Sequence, residues 1–310
     1  MLQFFLIFKC QLKDTLMKKL FAGSLMALMT MGCSESERKP IDFYNHLNVL
    51  PIQAHRGGGL ALPENTLETF ETTWSNRMIP EADIRTTSDD VIVCMHDDTI
   101  GRVAPNAPAH LKRLKFEELD LQTVKSLDVG RYRGKPGQRI PTLEEVFAVM
   151  QGHPEKLLYL DYKHINLDRL ATLVKKYDLE KQIIFTTKHY DLILEWKKRI
   201  PESPTMIWIG GSLAHKKETY AALKEADFEG LTTLQIHVKL QDNGQFTPDA
   251  DYLDACLQEL TKHDVLFQVL PWRISNLEVF IKLLDIGIRS FATDFPDMTA
   301  TVYNEYLKSL

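Results

Sequence analysis

Short apolar runs alternate with amphipathic segments along this sequence, and that alternation constrains the fold more than any other feature. The apolar, β-branched runs lie at 51–54, 79–84, 157–162, 182–187, 205–210, 231–236, 265–271 and 289–293. Segments with the 3.6-residue period of a helix separate most of them. Strands that alternate with helices pair in parallel, and eight such units over roughly 250 residues match a closed barrel better than an open sheet. The sequence therefore predicts a (β/α)8 TIM barrel.

Three of the amphipathic segments begin with a helix start signal. In each signal, a residue with a side-chain oxygen precedes a glutamate by three positions. The pairs are Asn65 with Glu68, Thr142 with Glu145, and Ser275 with Glu278. This spacing is typical of a capping box, in which the first residue is the N-cap and the glutamate binds back to it. We therefore expect the first member of each pair to be an N-cap.

One segment breaks the alternation of strands and helices. Residues 91–95 (VIVCM) form a ninth strand-like run only a few residues after the second predicted strand, with Ser88-Asp89-Asp90 between the two. A turn of that length predicts a hairpin arm in the loop after the strand. The next stretch is rich in proline and glycine and has weak periodicity. We expect residues of about 101–140 to form an insertion on the barrel rim, where it would cover the site.

The first 33 residues have the pattern of a targeting segment. Lys18 and Lys19 precede an apolar run at 20–31, and Cys33 follows that run. The run is too short for a membrane-spanning helix, which needs about 20 apolar residues, but it suits the hydrophobic region of a bacterial lipoprotein signal. Thr30 departs from the leucine that is usual at its position. A signal anchor built from both apolar patches of this region is the alternative.

These features predict three parts of the chain. Residues 1–33 form a signal segment that is cleaved before Cys33, and translation begins at either Met1 or Met17. Residues 34–45 form a tether, and residues 46–310 form the folded domain. Several acyl chains on Cys33 would hold the protein stably at a membrane. We therefore expect a lipid-anchored protein of the bacterial cell envelope, periplasmic or associated with the outer membrane.

Two cysteines remain once the signal is removed and Cys33 is acylated. Both Cys94 and Cys256 lie within apolar patterns. Buried thiols are therefore the better interpretation, although an oxidising compartment would permit a disulfide.

The charge balance excludes one class of partner. The net charge of the chain is -5 at pH 7. Sequence-independent binding of nucleic acid needs a basic surface, and the composition offers none. We predict no nucleic-acid partner and no protein partner. An anionic small molecule would have to be held by local positive charge.

Polar residues gather where the predicted strands end, which is the functional edge of a parallel barrel. They are His55, Arg56, Glu81, Asp83, His96, Asp97, Asp161, Lys163, Gln235, His237, Trp272, Arg273 and Asp294. Glu81 and Asp83 are two positions apart on one strand, so both face the same side. Asp161 and Lys163 have the same spacing on the next barrel strand. Three carboxylates that converge in a barrel interior repel one another unless a cation is present.

The types of these residues indicate phosphoryl chemistry. Ligands that are all oxygen suit Mg²⁺ or Ca²⁺ rather than zinc. Two histidines at neighbouring strand ends, His55 and His96, can act as an acid and a base. Arg56 and Lys163 are cations that can hold an anion, and arginine contacts phosphate oxygens in pairs. A G-x-S-x-G signature of acyl transfer does not occur in the sequence.

The order of the motifs resembles that of the glycerophosphodiester phosphodiesterase family. The motifs are HRG at 55–57, PENT at 63–66, E-x-D-x-R-x-T-x-D at 81–89, HD at 96–97, PTLEE at 141–145, LDYK at 160–163, Trp272 and T-D-x-P at 293–296. The resemblance runs from about residue 50 to 300. It implies a TIM barrel, one divalent cation (Ca²⁺ or Mg²⁺), and hydrolysis of glycerophosphodiesters to sn-glycerol 3-phosphate and an alcohol.

The resemblance also implies three groups of site residues. The acid-base pair is His55 and His96. The metal ligands are Glu81, Asp83 and Asp161. The groups around the substrate and its phosphate are Arg56, Lys163, Glu64 and Trp272. In the implied mechanism, the glycerol 2-hydroxyl attacks phosphorus and water then opens the cyclic phosphate.

Three positions depart from the family pattern. Asp161 is one methylene shorter than the usual glutamate, a length also found in the related sphingomyelinase D toxins, which stop at a cyclic product. Asp90 replaces a turn glycine, which aspartate tolerates because it enters the left-handed conformation. Arg273 follows Trp272 where threonine is more usual. It is either a specificity residue or a cap on a carbonyl group.

Three other functions stay open at this point. A phospholipase D or lyase acting on lysophospholipids would use the same groups and release a cyclic phosphate. The protein could instead be a lipoprotein whose barrel has lost its catalytic activity and only binds a ligand. This function is disfavoured because the histidines, carboxylates and cations are all retained. An unrelated TIM-barrel aldolase or isomerase would need Lys163 as a Schiff-base lysine, and the carboxylates nearby would keep that amine protonated.

Overall fold

Eight parallel strands close into a barrel, which confirms the predicted fold. The computed structural model describes residues 47–242 and 244–310. The barrel strands are β1 (Ile52–Ala54), β2 (Ile79–Thr86), β4 (Leu158–His164), β5 (Ile183–Thr187), β6 (Thr205–Ile209), β7 (Thr233–Leu240), β9 (Leu266–Pro271) and β10 (Ser290–Thr293). Each strand pairs in parallel with the next, and β1 also pairs with β10. Each of the eight apolar runs in the sequence corresponds to one barrel strand.

Helices surround the barrel and cover its outer apolar face. They are α1 (Leu67–Ser75), α3 (Leu143–Met150), α4 (Leu167–Lys176), α5 (Tyr190–Arg199), α6 (Leu213–Glu225), α7 (Ala250–Lys262), α8 (Leu277–Ile286) and α9 (Pro296–Lys308), whereas α2 (Leu121–Ser126) lies in the insertion. The core lies between helices and strands: the ring of Phe185 on β5 stacks on that of Trp196 on α5, with the centroids 4.8 Å apart. This packing fixes the strand ends that carry the polar residues.

One of the three expected N-caps is confirmed and two are wrong by one residue. Thr142 forms the predicted capping box with Glu145. Helix α1 is capped by Thr66 instead of Asn65, and α8 by Asn276 instead of Ser275. Asn65 has a left-handed backbone, with φ of 55°. Its amide contacts Asp83 instead: Nδ2 donates to Oδ2 at 2.8 Å, and Oδ1 accepts from the Asp83 N–H at 2.9 Å. A tertiary contact therefore outweighs the local signal.

The hairpin arm after β2 is confirmed, and it leads into the insertion. Strand β3 (Ile92–Cys94) pairs antiparallel with β2, and Asp90 in the turn has the expected left-handed φ of 66°. Helix α2 and three single-turn 3-10 segments make up the ordered part of the insertion. Its buried residues form a small core of their own around Phe116 and Val124. A two-residue strand that sequence patterning did not predict, β8 (Phe246–Thr247), pairs with β7.

The N-terminal predictions lie outside the described residues. The signal segment at 1–33, the cleavage before Cys33 and the tether at 34–45 all precede residue 47. Among the helices of the described chain, none has the length and apolar character needed to cross a membrane. Cys94 and Cys256 are both buried and free, as expected.

Candidate active site

Three carboxylates meet inside the barrel at the C-terminal ends of β2 and β4. We call Glu81, Asp83 and Asp161 the carboxylate floor. The ladder between these strands places Asp83 beside Asp161. Oxygen atoms of all three side chains lie within 4.8 Å of one another, and all three residues are buried. The alternation of a strand therefore brings together the groups that the sequence predicts as metal ligands.

The negative charge of the carboxylate floor is only partly balanced. Lys163 Nζ lies 2.8 Å from Asp83 Oδ1 and 2.6 Å from Asp161 Oδ2. Burial, together with the charges of Asp83 and Asp161, holds the pKa of Glu81 well above its usual range. Burial also acts to raise the pKa of Asp83, but the positive charges of Lys163, His96 and Arg56 outweigh it and lower that pKa. The floor can thus take up further positive charge.

These residues fit a divalent cation. The available donors are all carboxylate oxygens, which are the ligands that Ca²⁺ and Mg²⁺ prefer. Lys163 itself is a poor Schiff-base candidate. Although burial alone would lower its pKa, the charges of Asp83 and Asp161 raise it above the usual range, so the amine stays protonated. This argues against the aldolase alternative.

The two predicted catalytic histidines are each oriented by a carboxylate on the same ring nitrogen. His55 Nδ1 lies 2.7 Å from Asp294 Oδ1, and His96 Nδ1 lies 2.6 Å from Asp97 Oδ1. The second oxygen of Asp294 accepts from the backbone N–H of Arg273 at 2.9 Å. When Nδ1 donates to a carboxylate, Nε2 is left to exchange a proton with a substrate. The sequence places Asp294 among the strand-end residues but predicts no role for it.

Arg56 connects the histidines with the entrance of the site. Its backbone is left-handed, with φ of 53°, and its N–H donates to Glu81. One terminal nitrogen lies 3.3 Å from Glu64 and the other lies 3.0 Å from His96 Nε2. Arg56 Nε is buried and, within the described chain, has no hydrogen-bond partner. A buried unpaired donor is costly, so this atom is suited to an anionic oxygen of a ligand.

A second charged network lies on the rim, and sequence reasoning missed half of its residues. We call Glu64, Asp97, Arg102 and Tyr132 the rim network. Arg102 donates to both oxygens of Glu64, at 2.5 and 2.6 Å, and to Asp97 Oδ2 at 2.7 Å. The Tyr132 hydroxyl accepts from the Glu64 N–H at 3.1 Å. Arg102 and Tyr132 belong to the insertion, where no motif marks them. Glu64 faces the site as expected, but its oxygens are held by arginines.

Glycine is required at two positions of the loop that follows Arg56. Gly57 and Gly59 have φ of 90° and 64°, a region that side chains disfavour. A Cβ on Gly59 would lie 2.2 Å from the Asp294 carbonyl oxygen, and one on Gly57 would lie 2.6 Å from the Phe70 ring. Both glycines therefore allow the loop to pack against the protein itself.

Two cavities open on either side of His55 and Arg56. The inner one, of about 220 Å³, contains Glu81, Asp161 and Lys163. The outer one, of about 400 Å³, is lined by the rim network and by Arg273. Trp272, which is 44% exposed, borders both. The predicted site residues thus lie together around two adjacent spaces that share His55, Arg56 and Trp272, while their catalytic and binding roles stay predictions.

A family comparison agrees with this geometry. The model of the glycerophosphoryl diester phosphodiesterase family matches residues 55–298. The chain belongs to this family. It is therefore a phosphoric diester hydrolase with a TIM-barrel fold. The matched range begins at the first predicted catalytic histidine, and it includes the predicted site residues and the insertion between β3 and α3.

Individual relatives are similar over most of their length. A glycerophosphodiester phosphodiesterase of Caldanaerobacter subterraneus subsp. tengcongensis is 31% identical over 255 residues, which is 79% of this chain and 94% of the relative. A lysophospholipase D of Homo sapiens is 24% identical over 263 residues, covering 78% of this chain and 82% of the relative.

Solved structures share the fold at lower identity. A glycerophosphoryl diester phosphodiesterase from Parabacteroides distasonis has a TM-score of 0.64 and 22% identity, covering 86% of this chain and 90% of that one. An Oleispira antarctica phosphodiesterase solved with the product sn-glycerol-3-phosphate has a TM-score of 0.64 and 20% identity. It covers 84% of this chain and 99% of the other.

Proposed function

We propose that this protein hydrolyses glycerophosphodiesters to sn-glycerol 3-phosphate and an alcohol, with a divalent cation at the carboxylate floor. One observation carries the proposal: two histidines, each oriented by its own carboxylate, stand beside a buried acidic cluster and an arginine with a free Nε. The family match and the product-bound structural relative support the substrate class.

In the first step, the substrate supplies its own nucleophile. One histidine takes the proton of the glycerol 2-hydroxyl through Nε2 as that oxygen bonds to phosphorus. The other histidine donates a proton to the oxygen of the departing alcohol as its bond to phosphorus breaks. Arg56 Nε and Lys163 Nζ would bind the phosphate oxygens, where negative charge accumulates. The product of this step is a cyclic phosphate.

In the second step, water replaces the alcohol and the two histidines exchange roles. The histidine that lost its proton now takes one from water, and the water oxygen bonds to phosphorus. The other histidine returns a proton to the glycerol 2-oxygen as the ring opens. Asp294 and Asp97 keep each imidazole in the required tautomer and stabilise its charged form.

Glu81, Asp83 and Asp161 would hold the cation, Ca²⁺ or Mg²⁺. Bound there, it would act as a Lewis acid on the phosphoryl oxygens. Asp161 is also held by Trp208, whose Nε1 donates to Oδ1 at 3.2 Å, so this ligand is positioned by β6 as well as β4. The shorter aspartate is thereby fixed at the position where the family usually has glutamate.

Phosphorus NMR of a glycerophosphocholine digest tests the proposal. The protein supplied with Ca²⁺ or Mg²⁺ should release glycerol 3-phosphate, and a chelator should stop the release. His55→Ala and His96→Ala should each lower kcat by about 10²- to 10⁴-fold. His153→Ala, at an exposed histidine in the turn after α3, serves as the matched control and should keep full activity. Activity that survives both the chelator and His55→Ala would refute the proposal.

A second candidate is a phosphodiesterase or lyase that acts on lysophospholipids. The similarity to a human lysophospholipase D favours it, as do three exposed apolar side chains at this end of the barrel. They are Leu213, Leu240 and Trp272. The same NMR assay on a lysophospholipid separates the outcomes: a cyclic phosphate that persists identifies a lyase, and a phosphomonoester identifies a hydrolase.

We also propose that the protein is anchored to the bacterial cell envelope through a lipid on Cys33. The support is the apolar run at 20–31 and the cysteine that follows it. The full chain expressed in a bacterium should incorporate labelled fatty acid and fractionate with membranes. Cys33→Ser should abolish the label, and equal labelling of that variant would refute the anchor.

A further inference from the structure

His237 is a buried residue of the inner cavity that the proposed mechanism does not use. It lies on β7, is 9% exposed, and lines the same space as Glu81, Asp161 and Lys163. Its ring stacks on that of Trp208, with centroids 5.3 Å apart and planes at 9°, and it contacts Trp272 at 5.7 Å. The imidazole is therefore held rigidly between two aromatic side chains at the wall of the cavity.

Hydrogen bonds beneath His237 determine its tautomer. The Gln235 amide nitrogen donates to Gln53 Oε1 at 3.1 Å and to Gln268 Oε1 at 2.6 Å. Gln268 in turn donates from Nε2 to Ser290 Oγ at 3.0 Å. Gln235 Oε1 is thus left as an acceptor, and it lies 3.2 Å from His237 Nε2. Because an acceptor faces Nε2, that nitrogen carries the proton and Nδ1 keeps its lone pair.

The ring also stays neutral. Burial, together with the positive charge of His55, Lys216 and Lys239, lowers the pKa of His237 to about 3. Within the part of the chain that the structure describes, no donor reaches Nδ1. Nδ1 is not among the fully buried unpaired atoms of the described residues, so it opens on the cavity, where a donor brought by a ligand can reach it.

Gly210 leaves Nδ1 accessible from the cavity. A Cβ at this position would lie 3.1 Å from Nδ1, nearer than to any other atom outside its chain neighbours. Gly210 is not among the glycines with positive φ, so its backbone does not require glycine. The missing side chain therefore provides space directly in front of the acceptor.

We infer that His237 Nδ1 accepts a hydrogen bond from the free terminal hydroxyl of the substrate's glycerol. The inference rests on the proposed function and narrows its substrate class to glycerophosphodiesters without acyl chains. A hydroxyl can donate to Nδ1, whereas the ester oxygen of a lysophospholipid can only accept and would leave Nδ1 unpaired. Trp208 and Trp272 would pack on the adjacent CH₂ group. His237 is thus a specificity residue that selects deacylated substrates.

Three substrates with one headgroup test the inference on the metal-loaded protein. They are glycerophosphoethanolamine, its analogue with propane-1,2-diol in place of glycerol, and 1-acyl lysophosphatidylethanolamine. The analogue keeps the 2-hydroxyl that attacks phosphorus and lacks the terminal one. Wild type should prefer the first substrate over the other two by about 10- to 100-fold in kcat/KM, the cost of one unpaired buried group.

Variants at His237 should remove this preference without removing the chemistry. His237→Phe should bring kcat/KM on glycerophosphoethanolamine and on the analogue to the same level. His237→Asn places an amide oxygen near the position of Nδ1 and should retain part of the preference. His237→Gln places its polar group near Nε2 and should not.

Gly210→Ala provides a test that keeps the histidine. Its added methyl would cover Nδ1, so the preference should fall as it does in His237→Phe. Gly101→Ala is the matched control, since a Cβ there has nothing nearer than 3.9 Å. The control should keep the preference.

The outcomes separate the inference from the proposed function. If wild type cleaves none of the three substrates, the proposed function fails. If wild type cleaves glycerophosphoethanolamine but His237→Phe and Gly210→Ala keep the preference for the terminal hydroxyl, the inference is wrong while the function stands. A wild type that prefers the lysophospholipid also overturns the inference.

Discussion

The carboxylate floor and the rim network are both clusters of charged residues, but they are built differently. The floor residues are buried on barrel strands, and nearby positive charge balances them only in part. In the rim network, Arg102 is 42% exposed in its side chain and binds both Glu64 and Asp97. The unbalanced negative charge of the buried carboxylate floor is suited to binding a cation. The balanced charges of the rim network are suited to holding the insertion in position.

Each cluster also supports the histidines in a different way. Asp294 on the barrel orients His55, while Asp97 orients His96 and is itself held by the insertion through Arg102. We therefore expect changes to the barrel groups to affect activity more than changes on the rim. Three predictions test this order, and two more test the stability of the two clusters.

The largest effect is expected at the floor. Glu81→Gln removes one charged ligand and should lower kcat on the order of 10³-fold, since the cation and its charge stabilisation are weakened. Steady-state kinetics across a Ca²⁺ and Mg²⁺ titration measures this loss. Glu155→Gln, at an exposed carboxylate in the turn after α3, is the control and should behave as wild type. Full activity of Glu81→Gln would remove the floor from the mechanism.

Asp294→Asn should have the next largest effect. The amide cannot stabilise a charged His55 and can favour the wrong tautomer, so kcat should fall by about 10²-fold with KM little changed. Steady-state kinetics on glycerophosphocholine measures both constants. A large rise in KM with kcat unchanged would instead indicate a binding role.

Arg102→Gln tests the rim network, and it should lower kcat less than the two barrel variants do. It releases Asp97, and through it His96, so kcat should fall by about 10-fold. The paired variant Arg102→Gln/Glu64→Gln removes the carboxylate that would otherwise be left poorly neutralised, and it should recover part of the lost stability. A loss in kcat as large as that of Glu81→Gln would erase the distinction between the two clusters.

The stability of Arg102→Gln should depend on pH. Burial alone would raise the pKa of Glu64, but Arg102 and Arg56 lower it in the folded state. A lowered pKa gives stability that is present above the unfolded pKa of about 4.3 and lost as pH falls through the folded value. The melting temperatures of wild type and variant should therefore differ near pH 7 and converge below about pH 4.

The smallest expected effect is that Glu81→Gln stabilises the protein when no cation is bound. The pKa of Glu81 is raised in the folded state. Its contribution to the free energy of unfolding is therefore complete below the unfolded pKa and is lost as pH rises through the folded pKa. In chelator near pH 7, Glu81→Gln should thus raise the melting temperature by about 2–4 °C for each kcal/mol of relieved repulsion. Added Ca²⁺ or Mg²⁺ should stabilise wild type and have less effect on the variant. A lower melting temperature for Glu81→Gln in chelator would show that the floor is already balanced.

The fold and the chemical type of the site could be predicted because they depend on local patterns. The apolar, β-branched runs between segments of helical period predicted the eight barrel strands. The two-residue spacing of Glu81 and Asp83 predicted that they share a face. The parallel barrel then brings all strand ends to one edge, which places Asp161 beside them. The predicted barrel fold was therefore sufficient to predict that these three carboxylates lie close together.

Long-range contacts could not be predicted in the same way. Arg102 binds Glu64 across 38 positions, and Asp294 binds His55 across 239. Asn65 carries a helix start signal, yet it binds Asp83 because the loop brings its amide to the floor. No local pattern marks Arg102 or Tyr132, since the insertion that carries them has weak periodicity.

The sequence by itself thus determined the barrel, the strand-end histidines and the three carboxylates, because each follows from a spacing of a few residues. The tertiary structure alone decided which carboxylate orients each histidine, which arginine neutralises Glu64, and which nitrogen of His237 faces the cavity. These contacts depend on barrel closure and on how the insertion packs, and both sum many weak interactions over the whole chain.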